Sequence, residues 1–384
     1  MELIEVKSKA EAKEFLHLPV KIYSHDPDWC RPLNQDIEAV FDEKKNKFFR
    51  HGQCTRWILR KDGEVIGRVA AFINHKTANK EPQPTGGMGF FECINSREAA
   101  FKLFDTCKEW LKQRGMEAMD GPINFGERDA WWGLLVDGFT PVPYKMNYNP
   151  RYYQSFFEEY GFKNYFEQWC YSIKVADRPQ EKFYVRHAAI SANPDFSSAH
   201  LKKNQLAKYA EDFRQVYNKA WVKHGSGKQL EQHQVLGFFK KMKPVMDEKI
   251  IWFVYHKGQP VGTWVNLPDI NAIFRKFNGK FGWLEKLRFI YHLKRKKEKK
   301  MIGFVFGIIP EHQGKGVDAY LIVEAANFMQ SKMLYDDLEM QWVGDFNPKM
   351  IAVCEDLGAW RSRTLITYRY LFDRNKEFKR HPVL

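Results

Sequence analysis

Only six of the 384 residues are cysteine (Cys30, Cys54, Cys93, Cys107, Cys170 and Cys354), and no two of them share a C-x-x-C spacing. That scatter argues against a disulfide framework and against a structural zinc site, leaving reduced thiols packed mostly in a core. Long hydrophobic runs are missing too. No stretch approaches the ~18 consecutive apolar residues a membrane span needs, and the start, MELIEVKSKAEAKEFLHL, mixes acids and bases from its second residue instead of opening on a signal-type apolar segment. The expectation is a cytoplasmic chain without a transmembrane segment. Low-complexity tracts are also absent, while 44% hydrophobic and 16% aromatic residues give the composition of a globular protein.

A chain this long exceeds the roughly 250 residues to which single cores usually grow, so two domains are expected. Its formal charge of +14 is unevenly spread. Eleven Lys and Arg against two Glu lie between Asn271 and Lys300, which puts a local +9 into one segment.

The chain repeats itself. TRWILRKDGEVIGRVAAFIN near residue 55 and KIIWFVYHKGQPVGTWVNLPDIN near 249 both read as β-hairpins about a Gly-containing turn. Gly67 and Gly262 of these stretches are 195 residues apart, and the segments NPRYYQSFFEEYGF and NPKMIAVCEDLGA, starting at Asn149 and Asn347, are 198 apart. In both, Asn then Pro reads as the start of a short helix that Gly161 or Gly358 closes. Each half then orders as hairpin, strand, helix, strand, helix, strand, so the predicted class is a mixed α/β (α+β) sheet duplicated in tandem, with halves at 1–180 and 181–384.

In the second half the strand GFVFGIIP runs into PEHQGKGVDAY, a glycine loop of Q-x-x-G-x-[GA] type that opens a helix. With the hairpin before it and N-x-x-x-x-A-x-x-x-E-x-L-G after it, this half resembles the GNAT superfamily of acyl-CoA N-acyltransferases. PDIN, GVDAYLI and QWVGDFNPKM extend the likeness to a bacterial group of tandem GNAT-like proteins. The resemblance implies acetyl-CoA or another acyl-CoA as co-substrate, an amine as acceptor (a small molecule or a peptide) and no metal. Carried over residue by residue, it puts Gln313, Gly314, Lys315, Gly316, Val317 and Asp318 at the pyrophosphate, Phe306, Gly307, Ile308 and Ile309 beside the pantetheine arm, and Asn347 at the start of the next helix. The loop physics agrees: glycines admit close backbone approach, and a helix start presents unsatisfied N–H groups to an anion.

Two positions depart from the family pattern. Asp318 stands where Gly or Ala is usual, and its carboxylate can cap the helix start itself and repel a phosphate. Cys354 stands where a Tyr often protonates the leaving thiolate; it is a candidate acid and equally a packed core thiol. Asp345 is the candidate general base and equally a turn residue. The first half lacks the glycine loop and carries instead GERDAWWGLLVDGFTPVPYKMNYNPRYY, whose Arg128, Trp131, Trp132, Tyr144 and Asn147 are candidates for the acceptor side.

Three readings are weighed from the sequence. The first is an N-acyltransferase, most simply an N-acetyltransferase, with a tRNA-borne donor as a variant. The second is a non-catalytic ligand-binding protein on the same fold. The third is an accessory that binds nucleic acid or an anionic membrane through the basic insertion at 271–300, where Trp283, Leu284, Leu287, Ile290 and Tyr291 follow helical spacing.

Overall fold

The computed structural model describes residues 1–80, 83–221, 229–295 and 298–383; Lys296 and Lys297 of the basic segment lie outside them. The two hairpin turns repeat in detail. Asp62 and Gly63 have φ of 52° and 82°, Lys257 and Gly258 49° and 74°. This is the pair of positive φ angles of a type I′ turn, whose twist matches the strands it joins.

The first half runs β1 (Glu2–Glu5), α1 (Lys9–Ile22), α2 (Asn34–Phe41), β2 (Gly52–Lys61), β3 (Glu64–Asn74), β4 (Thr85–Cys93), α3 (Arg97–Lys112), β5 (Ala118–Gly121), β6 (Leu134–Asp137), α4 (Tyr153–Tyr160) and β7 (Lys163–Lys174). The second runs α5 (Glu181–Ser191), β8 (Phe196–His200), α6 (Leu206–Trp221), α7 (Gln232–Met242), β9 (Ile251–His256), β10 (Gln259–Pro268), α8 (Asn271–Phe274), α9 (Trp283–Arg295), β11 (Lys300–Ile308), α10 (Val317–Ser331), β12 (Asp337–Gly344), α11 (Pro348–Asp356) and β13 (Trp360–Leu371). The expected mixed α/β duplication is therefore present, with additions in each half.

One helix start differs from its expected form. Asn347 caps α11, its side chain accepting from the N–H of Met350, but Asn149 does not cap α4, which begins only at Tyr153. The Asn149 amide instead brackets Leu135, accepting from its N–H at 2.8 Å and donating to its carbonyl at 3.0 Å. A side chain used to pin β6 is not available to a helix.

All thirteen described strands form one sheet in the order β1-β2-β3-β4-β5-β13-β7-β12-β11-β10-β9-β8, with β6 attached to β13. The closing strands are exchanged between the halves. β7, from the first half, lies between β13 and β12 of the second, and β13 pairs with β5, β6 and β7 of the first. Neither repeat thus completes its own sheet. Separate fragments 1–177 and 178–384 are expected to be unfolded or aggregated alone, because β7 and β13 then present open edges, and to regain native circular dichroism when co-refolded. A fragment that melts cooperatively by itself would count against this.

Apolar helix faces cover both sides of the sheet. Leu103, Phe104 and Cys107 of α3 and Leu321, Ile322 and Val323 of α10 occupy equivalent cores on one side, while α1 with α2 and α6 with α7 build the cores around Phe15 and Phe213.

Candidate active site

β11 pairs with β12 in parallel only from Lys300 to Gly303, against Asp337 to Met340. At that point the ladder to β10 holds an extra residue on β11, since Val265 faces Val305 and Asn266 faces Gly303 with Phe304 unpaired. Such a bulge bends a strand and ends its pairing. Beyond it β11 keeps β10 on one side and loses β12 on the other, so alternate backbone N–H and C=O groups face a widening gap. The first half has a bulge at the same place: Arg68 faces Glu92 and Ala70 faces Gly89, two residues of β4 opposing one of β3.

The gap beside β11 is a cleft of ≈ 260 Å³. Its walls are Tyr217 and Trp221 of α6, Trp264 of β10, Gly303 to Phe306 of β11, Ile322 of α10, Met340 to Val343 of β12, and Asn347, Met350, Val353 and Leu357 around α11. Most of these groups are apolar, so the cleft suits an extended, partly hydrophobic ligand that takes its hydrogen bonds from strand backbone.

The glycine loop closes the end of β11. Gln313 turns back and donates from Nε2 to the carbonyl of Ile308 at 2.8 Å, and Gly316 is the N-cap of α10 with a φ of 84°. The N–H groups of Val317, Asp318 and Ala319 that follow have no carbonyl four residues earlier within the helix. Among the described residues no side chain is hydrogen-bonded to them, and the N-cap residue, a glycine, offers none. Asp318, half-buried, accepts no hydrogen bond from them, and Val317 and Ala319 are themselves buried. Positive charge surrounds the loop: Lys315 is exposed on it, and a Cβ at Gly316 would lie 3.2 Å from the Cβ of Arg186 on α5. His312 meets His256 edge to face with ring centroids 5.0 Å apart. Burial, then His256 and the charges of Lys315 and Lys219, hold the His312 imidazole below its ordinary pKa. An anion at the loop meets these groups as well as the helix start.

The matching place in the first half is closed. Ser96 caps α3 with its own hydroxyl, accepting from Ala99, and Ile123 lies along β4, donating to the carbonyl of Met88 at 2.8 Å. The second half keeps the glycine loop; the first replaces it with a capped helix and retains a smaller pocket of ≈ 70 Å³ along Phe90 to Glu92 of β4.

Of the predicted pantetheine residues, Phe306 lines the cleft, whereas Ile308 and Ile309 are buried in the α10 core. Asn347 also lines the cleft. Cys354 does not: it is fully buried, its Sγ lies 4.0 Å from Met340 Sδ, and burial pushes its pKa up to about 12. The structure gives it a packing environment, one helical position away from the residue that faces the cleft, Val353. Asp345 also stays outside the cleft and is ion-paired with Arg380.

The acceptor-side candidates divide. Arg128, Trp131 and Trp132 line a small groove with Gln341 and Trp342. The last two also wall the cleft, so groove and cleft meet at β12. Tyr144 and Asn147 line a different pocket, around Arg68 and Glu92; there Tyr144 donates to Asp36 and Asn147 to the carbonyl of Gly133. No local pattern in the sequence marks Tyr217, Trp221 or Gln341, which the fold brings to the cleft. Burial first, and then the charge of Glu127, hold the Tyr217 hydroxyl above its ordinary pKa; Glu127 itself lines a separate pocket with Asn74 and Asp120.

No family model matches the chain. It is 27% identical over 384 residues to a bacterial ceramide synthase of Caulobacter vibrioides (strain NA1000 / CB15N), covering 96% of this chain and 97% of that protein. It is 23% identical over 375 residues to protein YghO of Escherichia coli (strain K12), covering 92% and 90%. Among solved structures it resembles a tandem GNAT protein from the clavulanic acid biosynthesis pathway, with a TM-score of 0.54, 11% identity and coverage of 98% and 99%. A GCN5-related glucosamine N-acetyltransferase region of a fungal multi-domain β-N-acetylglucosaminidase gives a TM-score of 0.54 at 12% identity, covering 96% of this chain and 38% of that one. The fold is that of tandem GNAT acyltransferases.

Proposed function

We propose that this tandem GNAT-fold chain is an acyl-CoA-dependent N-acyltransferase whose donor is a fatty acyl-CoA and whose acceptor is the primary amine of a long-chain amino alcohol. The observation that carries the reading is the open, largely apolar cleft beside β11, one wall of which is Ile322 of α10, the helix that the glycine loop opens. Its lining of Trp221, Trp264, Phe306, Ile322, Val353 and Leu357 offers far more apolar surface than an acetyl group covers. Full-length similarity to a ceramide synthase supports the same choice, since a ceramide is the amide of a fatty acid with a long-chain amino alcohol.

In this reading the amine attacks the thioester directly within a ternary complex, and the protein's main contribution is alignment. Backbone N–H groups on the splayed part of β11 stabilise the developing oxyanion. The groove of Arg128, Trp131 and Trp132, which meets the cleft at β12, receives the amine, and its proton passes to water. Cys354 and Asp345 have no part in it, because neither reaches the cleft.

The test is release of free CoA from acetyl-, octanoyl- and palmitoyl-CoA with sphinganine as acceptor, with mass detection of the amide. Turnover is expected with the long donor and at least ~100-fold less kcat/KM with acetyl-CoA, a difference of about 2.7 kcal/mol in transition-state binding. Val353→Trp, which narrows the cleft, should move the preference to shorter chains. Equal use of acetyl-CoA with small amines would remove the lipid assignment, and no binding of any thioester at millimolar concentration would remove the acyl-CoA reading.

A further inference from the structure

Helix α9 presents its apolar face outward. Phe289 is buried, stacked on Phe274 at a centroid distance of 5.0 Å, whereas Trp283, Leu284, Leu287, Ile290 and Tyr291 are between 46% and 70% exposed. At about 100° per residue these five positions form one continuous stripe along the helix. Lys286 borders it on one side, Arg288 and Arg295 border it on the other, and Lys294 continues it at the C-terminal end; all four are exposed. Glu285 is the single acid within the helix and accepts from the N–H of Gly282 at 2.8 Å, back at its start.

The helix is held firmly while displaying that stripe. Phe289 sits in a cluster with Leu33, Ile273, Phe274 and Phe277, and the N–H of Asn34 donates to the carbonyl of Gly279 at 2.8 Å, tying the approach to α9 back onto the first half. Contiguous exposed apolar surface on a rigid element marks an interaction site, and the charges on its borders indicate what kind.

We propose that α9 is a membrane-surface helix that lies in the plane of an anionic bilayer, with its apolar stripe among the acyl chains and its bordering cations at the lipid phosphates. An interfacial helix has this layout: a large apolar face, low overall hydrophobicity and Lys or Arg along the edges, where the stems snorkel to the headgroups. A nucleic acid would use the cations, but Leu284, Leu287 and Ile290 provide no stacking face for bases and would lie against a charged backbone. The proposal stands on α9 alone and is independent of the acyl-transfer reading.

The test is flotation of the full chain with vesicles of phosphatidylcholine, with or without phosphatidylglycerol. The protein is expected to float with the anionic vesicles and at least tenfold less with the neutral ones. Leu284→Ser, Leu287→Ser and Ile290→Ser together should reduce partitioning at least tenfold without moving the melting temperature, since all three side chains are exposed. Reversal of Lys286, Arg288 and Lys294 to Glu should reduce it on the order of fivefold per cation. The proposal is overturned by failure to float with anionic vesicles, by undiminished flotation of the triple serine variant, by tRNA or duplex DNA binding without vesicle binding, or by a parent dimer that dissociates in the triple serine variant.

Discussion

Arg363→Met should lower the unfolding free energy by about 3 kcal/mol, the cost of leaving the buried Glu339 carboxylate with Lys300 alone and several carbonyls without their donor. Arg363, on the exchanged strand β13, is 1% exposed and binds Glu339 of β12 through Nε at 2.7 Å and Nη2 at 3.2 Å. Its Nη1 donates to the carbonyls of Gly138 and Thr140 at 2.9 and 3.0 Å, and Nη2 to the carbonyl of Pro141 at 3.2 Å. One guanidinium thus joins the two halves at the seam where their strands cross. Burial opposes ionisation of Glu339, but Arg363 and Lys300 outweigh it and hold its carboxyl below the ordinary range. A carboxylate depressed on folding stabilises the protein above its unfolded pKa of ~4.3, and that contribution is lost as pH falls toward the folded value. Urea midpoints should therefore fall steeply below about pH 4.3 in the parent and less steeply in Glu339→Gln. Replacing Arg363 and Glu339 together by Met should recover part of the single-variant loss. An Arg363→Met midpoint equal to the parent's would mean that the pair contributes nothing.

The second large effect is expected at Gly316. A valine there would have to adopt a φ of 84° and would push its Cβ toward that of Arg186. Strain of this kind costs roughly 1–2 kcal/mol, and the side chain would also move the loop that presents the first N–H groups of α10. Stability and binding are separable by comparison with Gly63→Ala, which has a similar φ of 82° in a hairpin turn with nothing within 4 Å of the added Cβ. Both variants should melt a few degrees lower. Saturating acyl-CoA is expected to raise the melting point of the parent and of Gly63→Ala, because ligand at one hundred times its Kd adds about 2.7 kcal/mol, but to leave Gly316→Val unmoved. A full ligand shift in Gly316→Val would show that the loop does not hold the cofactor.

The two hairpins, the long amphipathic helices, the glycine loop and the order of elements in each half were legible in the sequence, because each is set by neighbours a few residues apart. Turn residues fix φ locally, and a 3.6-residue period marks the buried face of α3 before any partner is known. α11 shows where that information stops. Met350, Val353, Cys354 and Leu357 form one apolar stripe, and only packing against β12 decided that Val353 faces the cleft while Cys354 faces the core.

The sequence by itself determined that the chain is a duplicated α/β protein with one glycine loop and one basic, apolar-striped insertion. Tertiary structure decided which strand completes which sheet, that the groove of Arg128, Trp131 and Trp132 in one half meets the cleft of the other at β12, and that α9 leaves its apolar stripe uncovered. The physical reason is that strand edges offer the same N–H and C=O groups whatever their side chains, so β7 and β13 carry no local mark of the half they will join. That choice is made by long-range contacts such as Arg363 with the carbonyls of Gly138 and Thr140, which exist only once both halves have folded together.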